Sequence, residues 1–383
     1  MSFAEIPTEL EQYEFSLPHV LCLVGEQQYL LSAGAIFMAI DRRLSVGVHR
    51  RGGAFRVGFG GGGADAEFAG PEVEALRDRW QAALTEEAVA DPASLDGLHV
   101  HLHFDHSFDA CPLATLATCP ATAAALTAAA LAAEFTLEST TEVELAERAC
   151  RVLRRVRGVS ESPDRFYGRI LTVLNGGALH VEPGRNGLNV QQLLPPESML
   201  LALRQGLGEA AGAIEQDAEV GSALRAAIER NEDVVQRGDA GFSALFEMDE
   251  GVLDEREITM VYGLLRVRQM TEAFLEHLGE PYVDNDRLAE ICDEESAILR
   301  DYFGFPAEPF AAMRSRAGEA GALGSKMTWV LGGYPAAIIL APGRREEVRQ
   351  TLQEGDEPAR FLPVDMEPTG LRWGPVDLET EEP

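Results

Sequence analysis

The chain has 383 residues, 46% of them hydrophobic and 25% charged, with 63 acidic residues against 32 basic ones and a formal net charge of −31. That length predicts two domains, and the composition predicts a folded globular protein. A surface so negative repels nucleic acid and anionic membranes, and no run approaches the roughly 20 apolar residues of a membrane span, so neither partner is expected. The first residues, MSFAEIPTELEQYEF, are acidic where a secretory signal would be basic and then apolar, so a cytoplasmic location is expected. Cys22, Cys111, Cys119, Cys150 and Cys292 are dispersed with no CxxC pair, which points to reduced thiols. Lys326 is the only lysine. Two explanations of the charge stand side by side: a carboxylate surface suited to high salt, where self-repulsion is screened, and GC-rich coding that favours arginine over lysine.

In chain order, LPHVLCLV (17–24) reads as a buried strand, followed by Gly25-Glu26 and a second apolar run, LLSAGAIFMAI, that Asp41 closes. RRLSVGVHRRGGAFRVGF predicts a hairpin turning at Gly52-Gly53. Gly58, Gly60 and Gly63 make a formal GxGxxG. A dinucleotide site needs a helix to open at once, but ADAEFAG intervenes before the helix that starts near Pro71, so a turn is expected. HVHLHFDH (99–106) then holds four of the eight histidines. Alternation puts His99, His101, His103 and Asp105 on one strand face, with neighbours about 6.5–7 Å apart. Two imidazoles at that spacing can share a metal, but no third ligand stands at a recognisable spacing. The expectation is therefore the solvent-facing side of a half-buried strand, with no metal site assigned.

Pro120 opens an alanine-rich helix, and TEVELAERACRVLRRV starts behind the capping residues Thr140 and Thr141. SESPDRFYGRILTVLNGGALHVEPGR reads as a loop and then strands. The polar, turn-rich stretch 186–200 sets the expected boundary, with an N-terminal domain over 1–190 and a C-terminal domain over 191–383 that ends in the acidic tail DLETEEP. Beyond Pro196 helices dominate, in GSALRAAIERNEDVV, EITMVYGLLRVRQMTEAFLEHLG and DRLAEICDEESAILRDYFG. A strand pair in GALGSKMTWVLGGYPAAIIL follows them.

Several of these segments, in this order, resemble the GHMP kinases and among them the galactokinases. LPHVLCLVGEQQYLLSAGAIFMAID matches without a gap the galactokinase stretch around its Gly-Glu-His sugar-binding signature. LAEICDEESAILRDYFGFPAEPFAAMRSRAGEAGALGSKM resembles the long C-terminal helix and the run into the third motif of that superfamily. PLATLATCPATAAAL stands where a glycine- and serine-rich phosphate loop precedes a helix. The resemblance spans residues 17–341 and implies an α+β, two-domain GHMP-kinase-like fold. It further implies a mixed α/β N-terminal domain, a ferredoxin-like C-terminal domain and an active cleft between them.

The departures fall on functional positions. Val20 stands where galactokinases usually have an arginine, Gln27 replaces the signature histidine, and Tyr29 replaces the aspartate that grips sugar hydroxyls; Glu26 is retained. Losing three polar anchors removes most discrimination among hydroxylated ligands. Glu26, Gln27 and Tyr29 remain the substrate-binding candidates, for a polar ligand other than galactose. From Ala114 to Pro120 no glycine is left to let backbone N–H groups approach a phosphate, and Pro120 removes one donor outright. Thr115 and Thr118, with Gly324 of the third motif, are the nucleotide-binding candidates; a plain helix start capped by Thr118 is the alternative. Asp164 stands at the family's catalytic-base position if one residue is deleted, although Ser-Pro before it also suits a turn. Lys326 stands where the family has arginine or lysine and is the second catalytic candidate. The resemblance thus implies ATP and Mg²⁺ with a sugar-like small-molecule acceptor. Change at both the acceptor and phosphate positions fits equally a non-catalytic pseudokinase that senses a ligand or binds a partner. Oligomeric state stays open.

Overall fold

The computed structural model describes residues 13–25, 28–31, 33–61, 70–104, 119–158, 164–184, 187–204, 221–230, 255–280, 282–304, 310–330, 334–354 and 361–375. They pack as two compact units, one formed by 1–20, 39–177 and 366–383, the other by 21–38 and 178–365. This division differs from the single cut expected at 190. The strands β1 (Tyr13–Val24) and β2 (Ala35–Arg50) contribute residues to both units, and the C-terminal stretch returns to the first.

In the first unit, β4 (Leu98–Phe104) pairs antiparallel with β2 on one side and parallel with β3 (Arg56–Gly61) on the other. The hairpin expected from β2 and β3 is therefore corrected: β4 lies between them. The connection crosses the start of β4, where Arg51 N–H donates to the Gly97 carbonyl at 2.7 Å and Gly97 N–H to the Gly53 carbonyl at 2.8 Å. Gly97 has φ +72°, and a Cβ there would lie 2.6 Å from the Arg51 oxygen, so the crossing requires glycine. Asp41 does not end the second apolar run, because β2 continues to Arg50 with Asp41 exposed. Leu98, Val100 and Leu102 are buried, while the histidines between them are not.

Behind this sheet sit α1 (Pro71–Glu87), α2 (Pro120–Ala133), α3 (Glu142–Arg157) and α4 (Asp164–Asn175). All of α2 is buried, and its alanines let α3 and α4 pack closely against it. Thr141, one of the two expected caps, closes the start of α3 in a reciprocal box with Glu144. The late strand β11 (Arg372–Pro375) closes the unit by pairing antiparallel with β1, Tyr13 opposite Pro375. Arg43 clamps the approach to it, donating to Ser16 Oγ at 2.8 Å, to the Thr369 carbonyl at 2.9 Å and to the Gly370 carbonyl at 2.7 Å. Glu367 stands 3.3 Å from Arg43 and 3.1 Å from Arg372.

The second unit contains β5 (Ala178–Gly184), β6 (Gly187–Leu193), β7 (Met199–Arg204), β8 (Gly324–Val330), β9 (Tyr334–Leu340) and β10 (Phe361–Val364). Four of these form an antiparallel sheet in the order β10-β7-β9-β8. Its helices are α5 (221–230), α6 (Glu255–Gly279), α7 (Asn285–Asp301), α8 (Phe310–Glu319) and α9 (Arg345–Gln353). One strand, helices, two strands, a helix and a last strand, ordered fourth-first-third-second, make the ferredoxin-like arrangement expected for the C-terminal part. Helix α7 packs on β8 and β9, and α9 packs on β7 and β10. Among the described residues no helix is long and apolar enough to cross a membrane.

Candidate functional site

In the second unit, β1 ends at Val24 and Gly25 turns the chain into the Gly25-Glu26-Gln27 stretch. Gly25 has φ +98°, and a Cβ there would lie 2.9 Å from Ala35 Cα, so only glycine fits this turn. A 3₁₀ turn over Gln28–Leu31 follows. Gln28 N–H donates to the Gly25 carbonyl at 3.1 Å, and its side-chain amide donates to the Leu264 carbonyl of α6 at 3.0 Å. The stretch is thereby held at both ends.

What holds it from behind is a buried ion pair. Lys326 on β8 and Glu295 on α7 have fully buried side chains 3.0 Å apart. Lys326 Nζ also donates to the Leu23 carbonyl at 2.6 Å, while Glu295 Oε1 accepts the Gly25 N–H at 2.9 Å. Thr328, two residues along β8, donates to the Cys22 carbonyl at 2.7 Å. Backbone groups of residues 22, 23 and 25 are thus bonded by side chains of one strand and one helix. Neighbouring Asp293 accepts the Ser325 N–H at 3.0 Å and pairs with Arg314 at 2.8 Å, which fixes β8 against α7.

The sequence candidates distribute as follows. Lys326 reaches Leu23 and Glu295 from a fully buried position. Gly324 abuts α7, where an added Cβ would lie 2.7 Å from the Ala289 carbonyl oxygen, so close helix packing accounts for that glycine. Tyr29 belongs to the 3₁₀ turn, and Asp164 is the first residue of α4. Glu26, Gln27, Thr115 and Thr118 lie outside the described residues. At the start of α2 the cap is Cys119 rather than the expected Thr118: its Sγ accepts the Thr122 N–H at 3.4 Å and stands 3.2 Å from the Thr122 hydroxyl. Burial pushes the Cys119 thiol above its ordinary value, with bonds from Thr122 and Ala121 opposing it.

Sequence reasoning missed two residues. Glu295 lies in the acidic run Asp293-Glu294-Glu295, which reads as a solvated helix face; only its spacing from Ile291 and Ile298 on α7 hinted at an inward side chain. His180 on β5 is buried, and a Cβ on Gly34 would lie 2.3 Å from its Nε2. Burial lowers the His180 pKa and Glu182 opposes the shift, so a neutral imidazole stands against the residues that follow the 3₁₀ turn. Among the described residues no group of three His, Cys, Asp or Glu side chains could hold a metal ion. The free cysteines Cys22, Cys119, Cys150 and Cys292 are all buried.

No protein-family model matches the chain, and no curated protein matches it in sequence. Solved structures do match. The chain is similar to the galactokinase of Lactococcus lactis complexed with galactose, at 15% identity over 95% of both chains with a TM-score of 0.69. It is similar to L. major mevalonate kinase in complex with R-mevalonate, at 14% identity over 95% of this chain and 100% of that one, TM-score 0.56. It is also similar to mevalonate diphosphate decarboxylase from Staphylococcus aureus, at 12% identity over 95% and 98% of the two chains, TM-score 0.55. The chain therefore has the two-domain GHMP-kinase fold, galactokinase-like in its topology. At such identities the likeness carries the fold and not the reaction.

Proposed function

We propose, from this fold and from the network behind Gly25, that the chain binds a hydroxylated, sugar-like small molecule at residues 25–31 and phosphorylates it from MgATP. The observation that carries the reading is the Lys326–Glu295 pair. Burying two charges costs several kcal/mol per ion unless their remaining bonds are met, and an apolar pair of similar volume would hold β8 to α7 as well. Here the pair spends its remaining bonds on the backbone at Leu23 and Gly25, beside the stretch that carries Glu26 and Tyr29. Lys326 is in this reading a positioning residue, acting through the segment it holds. Glu26, Gln27 and Tyr29 would bind the acceptor, and Thr115 and Thr118 would line the path of the nucleotide, while Gly324 serves the packing of α7. In the transfer the acceptor oxygen forms a bond to the γ-phosphorus, the bond to the ADP oxygen breaks, and the hydroxyl proton passes to the Asp164 carboxylate. The sugar-like ligand follows the galactose of the Lactococcus lactis structure, with a different hydroxyl pattern implied by Gln27 and Tyr29. A cytoplasmic location suits such an activity.

A second reading has its own observation. The first turn of α2 spends the Thr122 N–H on Cys119, and Pro120 has no N–H, so the helix start offers a phosphate fewer donors than a glycine-rich loop would. That favours a non-catalytic pseudokinase that keeps the acceptor pocket as a ligand sensor. Calorimetry with MgATP, at low and at molar salt, separates the two. Micromolar to millimolar binding with phosphorylated product from a hydroxylated acceptor supports the transferase. A folded protein that binds no MgATP at either salt overturns it and leaves the sensor.

A further inference from the structure

The histidine face of β4 belongs to a second concave site, within the first unit. Across the strands His49, His99 and Arg56 stand side by side on β2, β4 and β3; one step along, Gly47 and Gly58 flank His101. The flanking glycines carry no side chain, and the His101 ring stands 4.6 Å from that of His103. Along this edge of the sheet and the adjoining face of α1 runs a cavity of about 600 Å³, within the range of small-molecule sites. Its basic lining is Arg51, Arg56 and Arg77 with His49, His99 and His101. Glu74 and Asp78 are the acidic residues facing it from α1, and Gln81 closes one end by donating to the Phe55 carbonyl. Three arginines against two carboxylates invert the balance of a chain with 63 acidic and 32 basic residues. Among the described residues Arg51 and Arg56 are exposed and have no carboxylate partner.

A cation does not fit this site. His49 and His99 have ring centroids 5.5 Å apart, but Arg51 is close enough for its charge, after burial, to lower the His49 pKa. A metal ion would meet the same repulsion, whereas an anion relieves it. A single phosphate would occupy only part of about 600 Å³, and the arginines are spread over the sheet edge and the helix. Guanidinium forks suit phosphate oxygens in pairs, and Phe55 with Val57 supplies an apolar wall for a carbon skeleton.

We propose that this cavity binds an organic ligand carrying two or more phosphate groups, at a place separate from the phosphoryl-transfer residues. The separation follows from strand direction. β3 and β4 run parallel, and the cavity lies at their amino-terminal halves, at Arg56, Gly58, His99 and His101. The stretch with Thr115 and Thr118 follows the carboxyl end of β4, which is where parallel α/β units bind their reacting ligands.

The test is calorimetry of the full chain with inorganic tripolyphosphate, with the histidine ring C–H resonances followed by NMR. Wild-type protein is expected to bind at micromolar to millimolar Kd and to shift the His49, His99 and His101 signals. Arg51→Ser with Arg56→Ser is expected to weaken that binding at least tenfold. Both residues are exposed, so circular dichroism should stay unchanged; Arg287→Ser, on exposed α7 surface, should leave the affinity as it is. If tripolyphosphate also occupies the phosphate loop, two sites appear and the double variant removes one. Binding that the double variant leaves intact, unmoved histidine signals, or no binding by folded wild-type protein overturns the proposal. None of these outcomes depends on whether MgATP is turned over.

Discussion

The buried ammonium of Lys326 and the carboxylate of Glu295 make the sharpest single-residue case. Lys326→Met leaves Glu295 charged and buried opposite a thioether, which should cost about 3–5 kcal/mol of unfolding free energy in urea titrations. Removing both charges, in Lys326→Met with Glu295→Gln, should recover a large part of that loss, because the two residues are directly coupled. A double variant that loses the sum of the two single losses would show the pair to be independent. The same double variant carries the functional reading: folded protein with weakened acceptor binding is expected once the Leu23 carbonyl loses the Lys326 ammonium. Lys326 drew notice in the sequence as the only lysine, next to a glycine-rich motif. Its environment was not legible there, because its partner lies 31 positions earlier on a helix whose acidic run looks solvent-facing. Cys119 was hidden for a related reason. Threonine is the better-known cap, and choosing between Thr118 and Cys119 depends on backbone angles that composition does not set.

Among the elements, the helices were the most legible, since α1, α3, α6 and α7 carry periodic apolar positions and start signals such as Pro71 and Thr141-x-x-Glu144. Strand order was not. β2 and β3 are adjacent in sequence and joined through Gly52-Gly53, yet both pair with β4, about forty residues later, and local patterning cannot report a strand inserted from that distance. β11 is harder still, four residues without alternation whose place is fixed by β1 and by the Arg43 clamp. That clamp has a pH dependence. Burial raises the Glu367 pKa, but the Thr369 N–H, Arg43 and Arg372 together outweigh it and hold the carboxyl below its ordinary value. A depressed carboxylate contributes stability above its unfolded pKa of about 4.3, and the contribution is lost as pH falls through the lower folded value. Glu367→Gln should therefore lower Tm at neutral pH and flatten its decline on acidification. An unchanged acid slope in the variant would remove Glu367 from the account.

At the scale of the whole molecule, a formal charge of −31 acts on stability more than on fold. At low ionic strength the carboxylates repel one another across the surface. Molar salt shortens the Debye length to about 3 Å and screens nearly all of that repulsion. Tm is expected to rise steadily with added NaCl, and the rise should be smaller for a variant in which several exposed α9 and α7 glutamates become glutamine. A Tm independent of salt would mean that the exposed ion pairs, such as Arg287–Glu290 and Arg344–Glu347, already balance the surface locally. Fold class was readable at this scale from the order of a few segments, whereas the interleaved division into units was not. No composition shift marks the points where β1 and β2 pass from one to the other.

The pairing of Tyr13 with Pro375 has a consequence for biosynthesis. A chain leaves the ribosome amino end first, at about 5–20 residues per second, so the start of β1 is exposed for some tens of seconds before β11 emerges. Until then its row of backbone donors and acceptors is an open edge that another nascent chain could join. The first unit is thus completed only after the whole of the second has been synthesised. Its yield in a cell should depend on whatever shields that edge until residues 372–375 arrive to pair with it.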